Sequence, residues 1–93
     1  MTPRIHVTPT YATSDWRASF EDGTYICDIR LSISSMLNRY HIIQDGKVVK
    51  DGTFTFGLWD RETIRDTLVA IVHSMYQSAE VTVELPKMRA VGA

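Results

Sequence analysis

Residues 24–34 alternate between apolar and polar side chains, which is the pattern of a β-strand with one buried face and one open face. The apolar positions are Tyr25, Cys27, Ile29, Leu31 and Ile33. The polar positions are mostly Thr24, Asp28, Arg30, Ser32 and Ser34, and Ile26 is the exception to the pattern. The sequence therefore predicts one long half-buried strand.

Asp-Gly pairs mark the predicted turns, and they occur at residues 22–23, 45–46 and 51–52. Because type I′ turns need positive φ at both central residues, an Asp-Gly pair between two β-prone runs predicts a hairpin. The first two pairs predict hairpins in this way. The third pair lies too close to the second for a separate turn, so it predicts a β-bulge.

Further strands are predicted on either side of these turns, at residues 15–20, 40–44 and 47–50. We expect the last of them to resume at Thr53 and to alternate through Phe54, Phe56 and Leu58. Residues 4–8 form a weak strand before Pro9, and proline in a sheet favours an edge position. A final strand is predicted at residues 81–85.

An amphipathic helix is predicted over residues 61–77. Asp60 is a good N-cap residue, and Trp59 and Ile64 have the spacing of a hydrophobic staple. A single apolar stripe runs along the helix through Ile64, Leu68, Ile71, Val72 and Met75. The apolar face of the sheet is the available partner for this stripe.

These elements predict a single α+β domain over residues 1–86, followed by a flexible tail over residues 87–93. The domain is expected to hold a mostly antiparallel sheet of about five strands, with one amphipathic helix packed on one face. The predicted order of elements is β-β-β-β-α-β.

Charge and cysteine content exclude several classes of protein. Ten Lys and Arg residues balance eleven Asp and Glu residues, which argues against nucleic-acid binding and against a polybasic membrane contact. A single cysteine excludes an intrachain disulfide and suits a reducing compartment. No signal peptide or apolar run of ~20 residues is present, so a cytoplasmic protein is expected.

No motif for metal, cofactor or nucleophilic chemistry stands out. His6, His41 and His73 lack partners at metal-ligand spacing, and the glycines form no phosphate-binding pattern. Cys27 lies on the apolar face of its predicted strand, where a thiol usually packs in the core and is unreactive. The sequence therefore predicts no cofactor, no metal and no enzymatic activity.

Three carboxylates leave one enzymatic alternative open. The order of three antiparallel strands, a helix and a further strand resembles the beginning of the ribonuclease H-like fold. That resemblance implies a small nuclease-like or hydrolase-like domain, in which Asp28, Asp66 and Glu84 would act together. Simple cross-strand ion pairs, Asp28 with Arg30 or Glu84 with Arg17, are the competing interpretation.

Seven of the nine aromatic residues are many for so small a core: Trp16, Phe20, Tyr25, Tyr40, Phe54, Phe56 and Trp59. One helix covers only one face of a sheet, so some of them are candidates for an interface on the other face. The alternative interpretation is that all of them pack in the core.

The favoured hypothesis is a non-enzymatic protein–protein interaction module. Its specific form is a phage or mobile-element inhibitor that binds and blocks a host nuclease or defence complex. A homo-oligomeric module, such as a homodimer that pairs sheet edges or open faces, is the alternative. The predicted partner-binding residues are Asp28, Arg30, Tyr40, Lys47 and Lys50.

Overall fold

The computed structural model describes residues 2–10, 15–33, 37–54 and 60–85. They form six strands and one helix. In chain order these are β1 Arg4–Pro9, β2 Asp15–Phe20, β3 Tyr25–Ile33, β4 Asn38–Gln44, β5 Lys47–Thr53, α1 Arg61–His73 and β6 Glu80–Val83.

All six strands join one sheet in the order β5-β4-β3-β2-β1-β6. Neighbouring strands are antiparallel except β1 and β6, which are parallel. Helix α1 lies between β5 and β6 in the chain. The predicted α+β fold is confirmed, with six strands instead of about five and the order β-β-β-β-β-α-β. β1 is not the predicted edge strand, because β6 returns beside it and the last residue of the strand, Pro9, still pairs with Trp16.

The two predicted hairpin turns are present. In the first turn Gly23 has a φ of +93°, and the Asp22 carboxylate accepts a hydrogen bond from the backbone N–H of Thr24 at 2.9 Å. That bond lowers the pKa of Asp22 below its usual 3.8. In the second turn Asp45 and Gly46 both have positive φ, at 52° and 77°, as a type I′ turn requires.

The predicted bulge at residues 51–52 is wrong, because β5 continues without interruption through this pair. The register shifts earlier in the hairpin: Ile42 pairs with Lys50 and Ile43 with Val48, which leaves Val49 as the extra residue. The strand ends at Thr53, so residue 54 lies outside it, and the expected continuation through residues 56 and 58 lies outside the described residues.

Helix α1 begins at the predicted N-cap. The Asp60 carboxylate accepts a hydrogen bond from the backbone N–H of Thr63 at 2.7 Å. Hydrogen bonding to the side chain and then to the backbone of Thr63 lowers the pKa of Asp60 below 3.8. The helix ends at His73 and not at residue 77 as predicted. Ser74 closes its last turn, since its hydroxyl donates to the carbonyl of Ile71 at 2.6 Å. The proposed staple residue Trp59 lies outside the described residues.

The core lies between α1 and one face of the sheet. Leu68 and Val72 are fully buried and Ile71 is 4% exposed, so the predicted apolar stripe faces the sheet. Buried side chains from four strands, β1 to β4, and from the segment after the helix complete the core: Ile5, Val7, Trp16, Ala18, Ile26, Cys27, Ile29, Leu31, Ile42 and Ala79.

A side-chain hydrogen bond and a ring contact help to fix the segment after the helix to the core. The Nε2–H of His73 donates to the carbonyl of Ala79 at 2.9 Å. The ring of Tyr76 meets the ring of Phe20 edge to face, with centroids 5.7 Å apart. These contacts direct the chain into β6 alongside β1.

A second register shift reassigns two residues of β3. Ala18 pairs with Cys27 whereas Ser19 pairs with Tyr25, so Ile26 is an extra residue between them. Tyr25 therefore lies on the face away from α1, not on the apolar face as the alternation predicts. Ile26 is only 6% exposed, so it belongs to the core and not to the opposite face.

The predicted tail at residues 87–93 lies outside the described residues. Within the described ranges, the single helix is too short and too polar to cross a membrane.

Candidate partner-binding face

The face of the sheet opposite α1 is polar and carries four arginines, which are Arg4, Arg17, Arg30 and Arg39. We call it the open face, because the one helix among the described residues packs against the other side. Alternation along each strand puts these arginines opposite the buried positions.

Two ion pairs lie side by side on β2 and β3. Asp15 is the register partner of Arg30, and Arg17 is the register partner of Asp28. Arg30 Nε donates to Asp15 Oδ1 at 3.0 Å and its terminal nitrogen to Oδ2 at 3.4 Å, which raises the pKa of the guanidinium above its usual value. Arg17 Nε donates to Asp28 Oδ1 at 3.2 Å. Each aspartate therefore has an arginine opposite it on the neighbouring strand and another arginine two residues away on its own strand.

Tyr25 is held in place by this charge pattern. Its hydroxyl lies 3.3 Å from Asp28 Oδ2 and 3.2 Å from the carbonyl oxygen of Ile43, so it donates to one of these acceptors at a time. The guanidinium carbon of Arg17 lies 5.5 Å from the centre of the tyrosine ring. Partial burial and the negative charge of Asp28 raise the pKa of Tyr25 above 10.0, which keeps the hydroxyl protonated. The ring itself is 41% exposed.

The open face continues onto β4 with less complete pairing. Arg39 lies between Ser32 and Thr53, its register partners on β3 and β5, and has no carboxylate within ion-pair distance among the described residues. His41 lies between Arg30 and Asp51 in the same way. Its Nδ1 atom is buried and makes no hydrogen bond within the described part of the chain.

A small apolar area adjoins the ion pairs. Ile43 on β4 is the register partner of Asp28, and Val48 on β5 is the register partner of Ile43. Val48 and the bulged residue Val49 are each 54% exposed. The open face therefore combines paired charges, one ordered tyrosine and a few exposed aliphatic side chains.

The five predicted partner-binding residues do not form one surface. Asp28 and Arg30 lie together on the open face. Tyr40 pairs with Leu31 and packs against the core, so it lies on the helix side. Lys47 and Lys50 lie on edge strand β5, and their register partners Gln44 and Ile42 place them on the helix side as well.

The predicted ion pairs on the sheet have different partners in the structure. Asp28 pairs with Arg17 and not with Arg30, because residues two apart on one strand lie along the strand and not across it. Glu84 does not pair with Arg17; its backbone N–H donates to the carbonyl of Val7 at 2.8 Å at the end of β6.

Sequence reasoning missed Asp15, Arg17 and Arg39 as members of this surface. A signal was present, because both arms of the first hairpin contain Asp-x-Arg, at residues 15–17 and 28–30. Antiparallel pairing reverses the second copy, so that each aspartate faces an arginine.

The three carboxylates of the enzymatic alternative are separated. Asp28 lies on the open face, Asp66 is on the exposed side of α1 near Arg65, and Glu84 follows β6. No group of three or more His, Cys, Asp or Glu side chains within the described ranges could hold a metal ion. Cys27 is fully buried, and burial followed by the charge of Asp28 raises the pKa of its thiol to about 11.

The predicted aromatic residues divide between the core and the open face. Trp16 is buried, and Phe20, Tyr40 and Phe54 pack against the core. Tyr25 is the aromatic residue that the open face presents among those described, whereas residues 56 and 59 lie outside the described ranges.

Comparison with known proteins gives no match to any family model, curated protein or solved structure.

Proposed function

We propose that this chain is a non-enzymatic interaction module that binds another protein through the open face. The ordered assembly of Arg17, Tyr25 and Asp28 is the observation that carries this proposal. Tyrosine and arginine are enriched among the residues that dominate binding energy at interfaces. The assembly displays both of them beside exposed aliphatic side chains.

Pre-organisation is the physical reason why this assembly favours binding. Each side chain that a complex immobilises costs roughly 0.5–1.5 kcal/mol of conformational entropy. The hydroxyl of Tyr25 is already fixed by Asp28 and Ile43, and its ring is already covered on one side by Arg17. A partner that packs against the exposed part of the ring therefore restricts little further motion.

The composition of the open face supports a partner that also exists free in solution. Interfaces of this non-obligate kind are about as polar as the rest of a protein surface. The paired charges of Asp15, Arg30, Arg17 and Asp28, with Ile43 and Val48 beside them, have this character.

Site-specific photocrosslinking tests the proposal. A photoreactive amino acid placed at Ser32 on the open face, or at Ala70 on the exposed side of α1, is irradiated in a lysate of the source cells. We expect one protein to be crosslinked at Ser32 and not at Ala70. The Arg30→Glu variant should lose that product while retaining its circular dichroism spectrum. Crosslinking of the same protein only at Ala70 would contradict the proposal.

A homo-oligomer is the second candidate, and the exposed side chains of Val48 and Val49 on edge strand β5 favour it. Edge strands invite pairing with another chain, although a bulge and lysines on the edge oppose it. β5 is an edge strand, it has a bulge at Val49, and Lys47 and Lys50 lie on either side of its two valines. Light scattering after size exclusion tests this candidate, which predicts twice the mass of the chain.

A further inference from the structure

We infer that the open face binds an acidic segment of its partner, through a diagonal row formed by Arg17 on β2, Arg30 on β3 and Arg39 on β4. This inference rests on the proposed function and specifies the chemistry of the partner. Register places Arg30 one strand and two residues away from each of the other two arginines. With strands ~4.8 Å apart and ~6.8 Å between alternate residues, neighbouring arginines are about 8 Å apart.

The arginines form the outer charged layer of this face. The side chain of Arg17 is 56% exposed and that of its partner Asp28 is 31% exposed. Arg30 is 53% exposed and its partner Asp15 is 23% exposed. A partner that approaches this face therefore contacts guanidinium groups before carboxylates, although the charges of Arg17, Asp28, Arg30 and Asp15 sum to zero.

Donors remain for a second carboxylate at each arginine. A guanidinium has five N–H donors and no acceptor. Arg17 uses Nε for Asp28, which leaves its terminal nitrogens as a fork, and Arg30 uses Nε and one terminal nitrogen for Asp15. Arg39 has no carboxylate within ion-pair distance among the described residues, and its neighbours Ser32 and Thr53 add two hydroxyl groups. Such forks match the geometry of carboxylates.

An acidic protein segment fits this row better than a nucleic acid does. Alternate side chains of an extended peptide are ~7 Å apart, close to the spacing of the arginines. A nucleic acid would also bring its continuous backbone charge over Asp15, Asp28 and Asp51, which share the face. Tyr25 is the one aromatic side chain that the described open face presents for stacking on a base, and Arg17 already covers it.

Fluorescence anisotropy with three labelled probes tests the inference on the full chain. The first probe is a twelve-residue peptide with Glu at every second position and Ser between them. The second has Gln in place of Glu, and the third is a dT12 oligonucleotide. We expect the Glu peptide to bind, its affinity to fall with added salt, and the other two probes to bind at least tenfold more weakly.

Two matched variants locate the binding. The triple variant Arg17→Lys, Arg30→Lys, Arg39→Lys keeps the charge and removes the guanidinium forks, so it should weaken the Glu peptide about tenfold. The double variant Arg61→Lys, Arg65→Lys makes the same exchange on α1 and should change affinity less than twofold. Circular dichroism verifies that both variants are folded.

Three results would overturn the inference. They are equal binding of the Glu and Gln peptides, tighter binding of dT12 than of the Glu peptide, and an equal loss in the two lysine variants. If crosslinking at Ser32 still captured a protein, these results would reject the acidic segment alone. If that crosslinking also failed, the proposed function would fall with it.

Discussion

The ring of Tyr40 lies directly over Gly52 on the neighbouring strand, so closely that a Cβ atom on Gly52 would meet Cζ and Oη of the ring at 2.6 Å. The two residues are register partners on β4 and β5. Glycine weakens a strand because it has no side chain to pack, and an aromatic neighbour that covers it compensates for this loss. The ring also packs against the core.

Gly52→Ala should therefore displace the Tyr40 ring and lower the free energy of unfolding by about 1–3 kcal/mol, the usual cost of overpacking. The same change in a Tyr40→Ala background should cost much less, because the space is then free. Urea denaturation of the four proteins of this cycle measures the coupling, which we expect at roughly 0.5–3 kcal/mol. Additive effects would show that the ring does not occupy this position.

Leu68→Ala should destabilise the fold by about 2–5 kcal/mol, because Leu68 is fully buried between α1 and the sheet. Arg65→Ala on the exposed side of the same helix is the matched control and should stay within about 0.5 kcal/mol of the unmodified chain. Chemical denaturation measures both. A loss below about 1 kcal/mol at Leu68 would mean that the stripe does not pack on the sheet.

The ion pair of Asp15 and Arg30 predicts a charge-swap result. Arg30→Asp places two carboxylates opposite each other and should destabilise the chain, whereas adding Asp15→Arg should restore most of the stability. Because Arg30 is half exposed, the coupling should be only about 0.2–1 kcal/mol. Thermal denaturation of the single and double variants measures it. A double variant less stable than Arg30→Asp would contradict the pairing.

Asp60 should make stability depend on pH through the helix cap. Its pKa is lower in the folded chain than the usual 3.8, because the carboxylate accepts hydrogen bonds from the side chain and the backbone N–H of Thr63. The unfolded chain therefore binds the proton first, so the contribution is complete above about pH 4 and is lost as the pH falls through the lowered pKa. The stability difference between the unmodified chain and Asp60→Ala should shrink over that range. Asp60→Asn keeps an accepting oxygen and should show a weaker pH dependence.

Cys27 should be unreactive in the folded chain. Its thiol is fully buried with a pKa of about 11, so a disulfide reagent at pH 8 should modify it only after the chain opens. Stability should fall as the pH rises from 9.0 through about 11, because the unfolded chain releases the proton first. A Cys27→Ser variant should show a smaller fall over this range, in which the raised pKa of Tyr25 also makes stability depend on pH. Rapid modification without denaturant would show that the β3 face is accessible.

Local signals in the sequence determined the elements that depend on neighbouring residues. The N-cap at Asp60, the type I′ turn at residues 45–46 and the stripe through Leu68 follow from hydrogen bonds and spacings within a few residues. The two Asp-x-Arg motifs at residues 15–17 and 28–30 also predict the two cross-strand ion pairs, once the hairpin between the motifs is recognised. The sequence predicts such features because each depends on residues that are close together in the chain.

Tertiary structure decided what the sequence alone left undetermined. The interior position of β1 depends on the return of β6 beside it after α1, which is a contact between the two ends of the described chain. The bulge at Ile26 places Ile26 in the core and Tyr25 on the open face, where its hydroxyl reaches Asp28 and the carbonyl of Ile43 on the neighbouring strand. Alternation is a property of one strand, whereas register and bulges are chosen by the whole core, so the open face could be recognised only after the sheet was assembled.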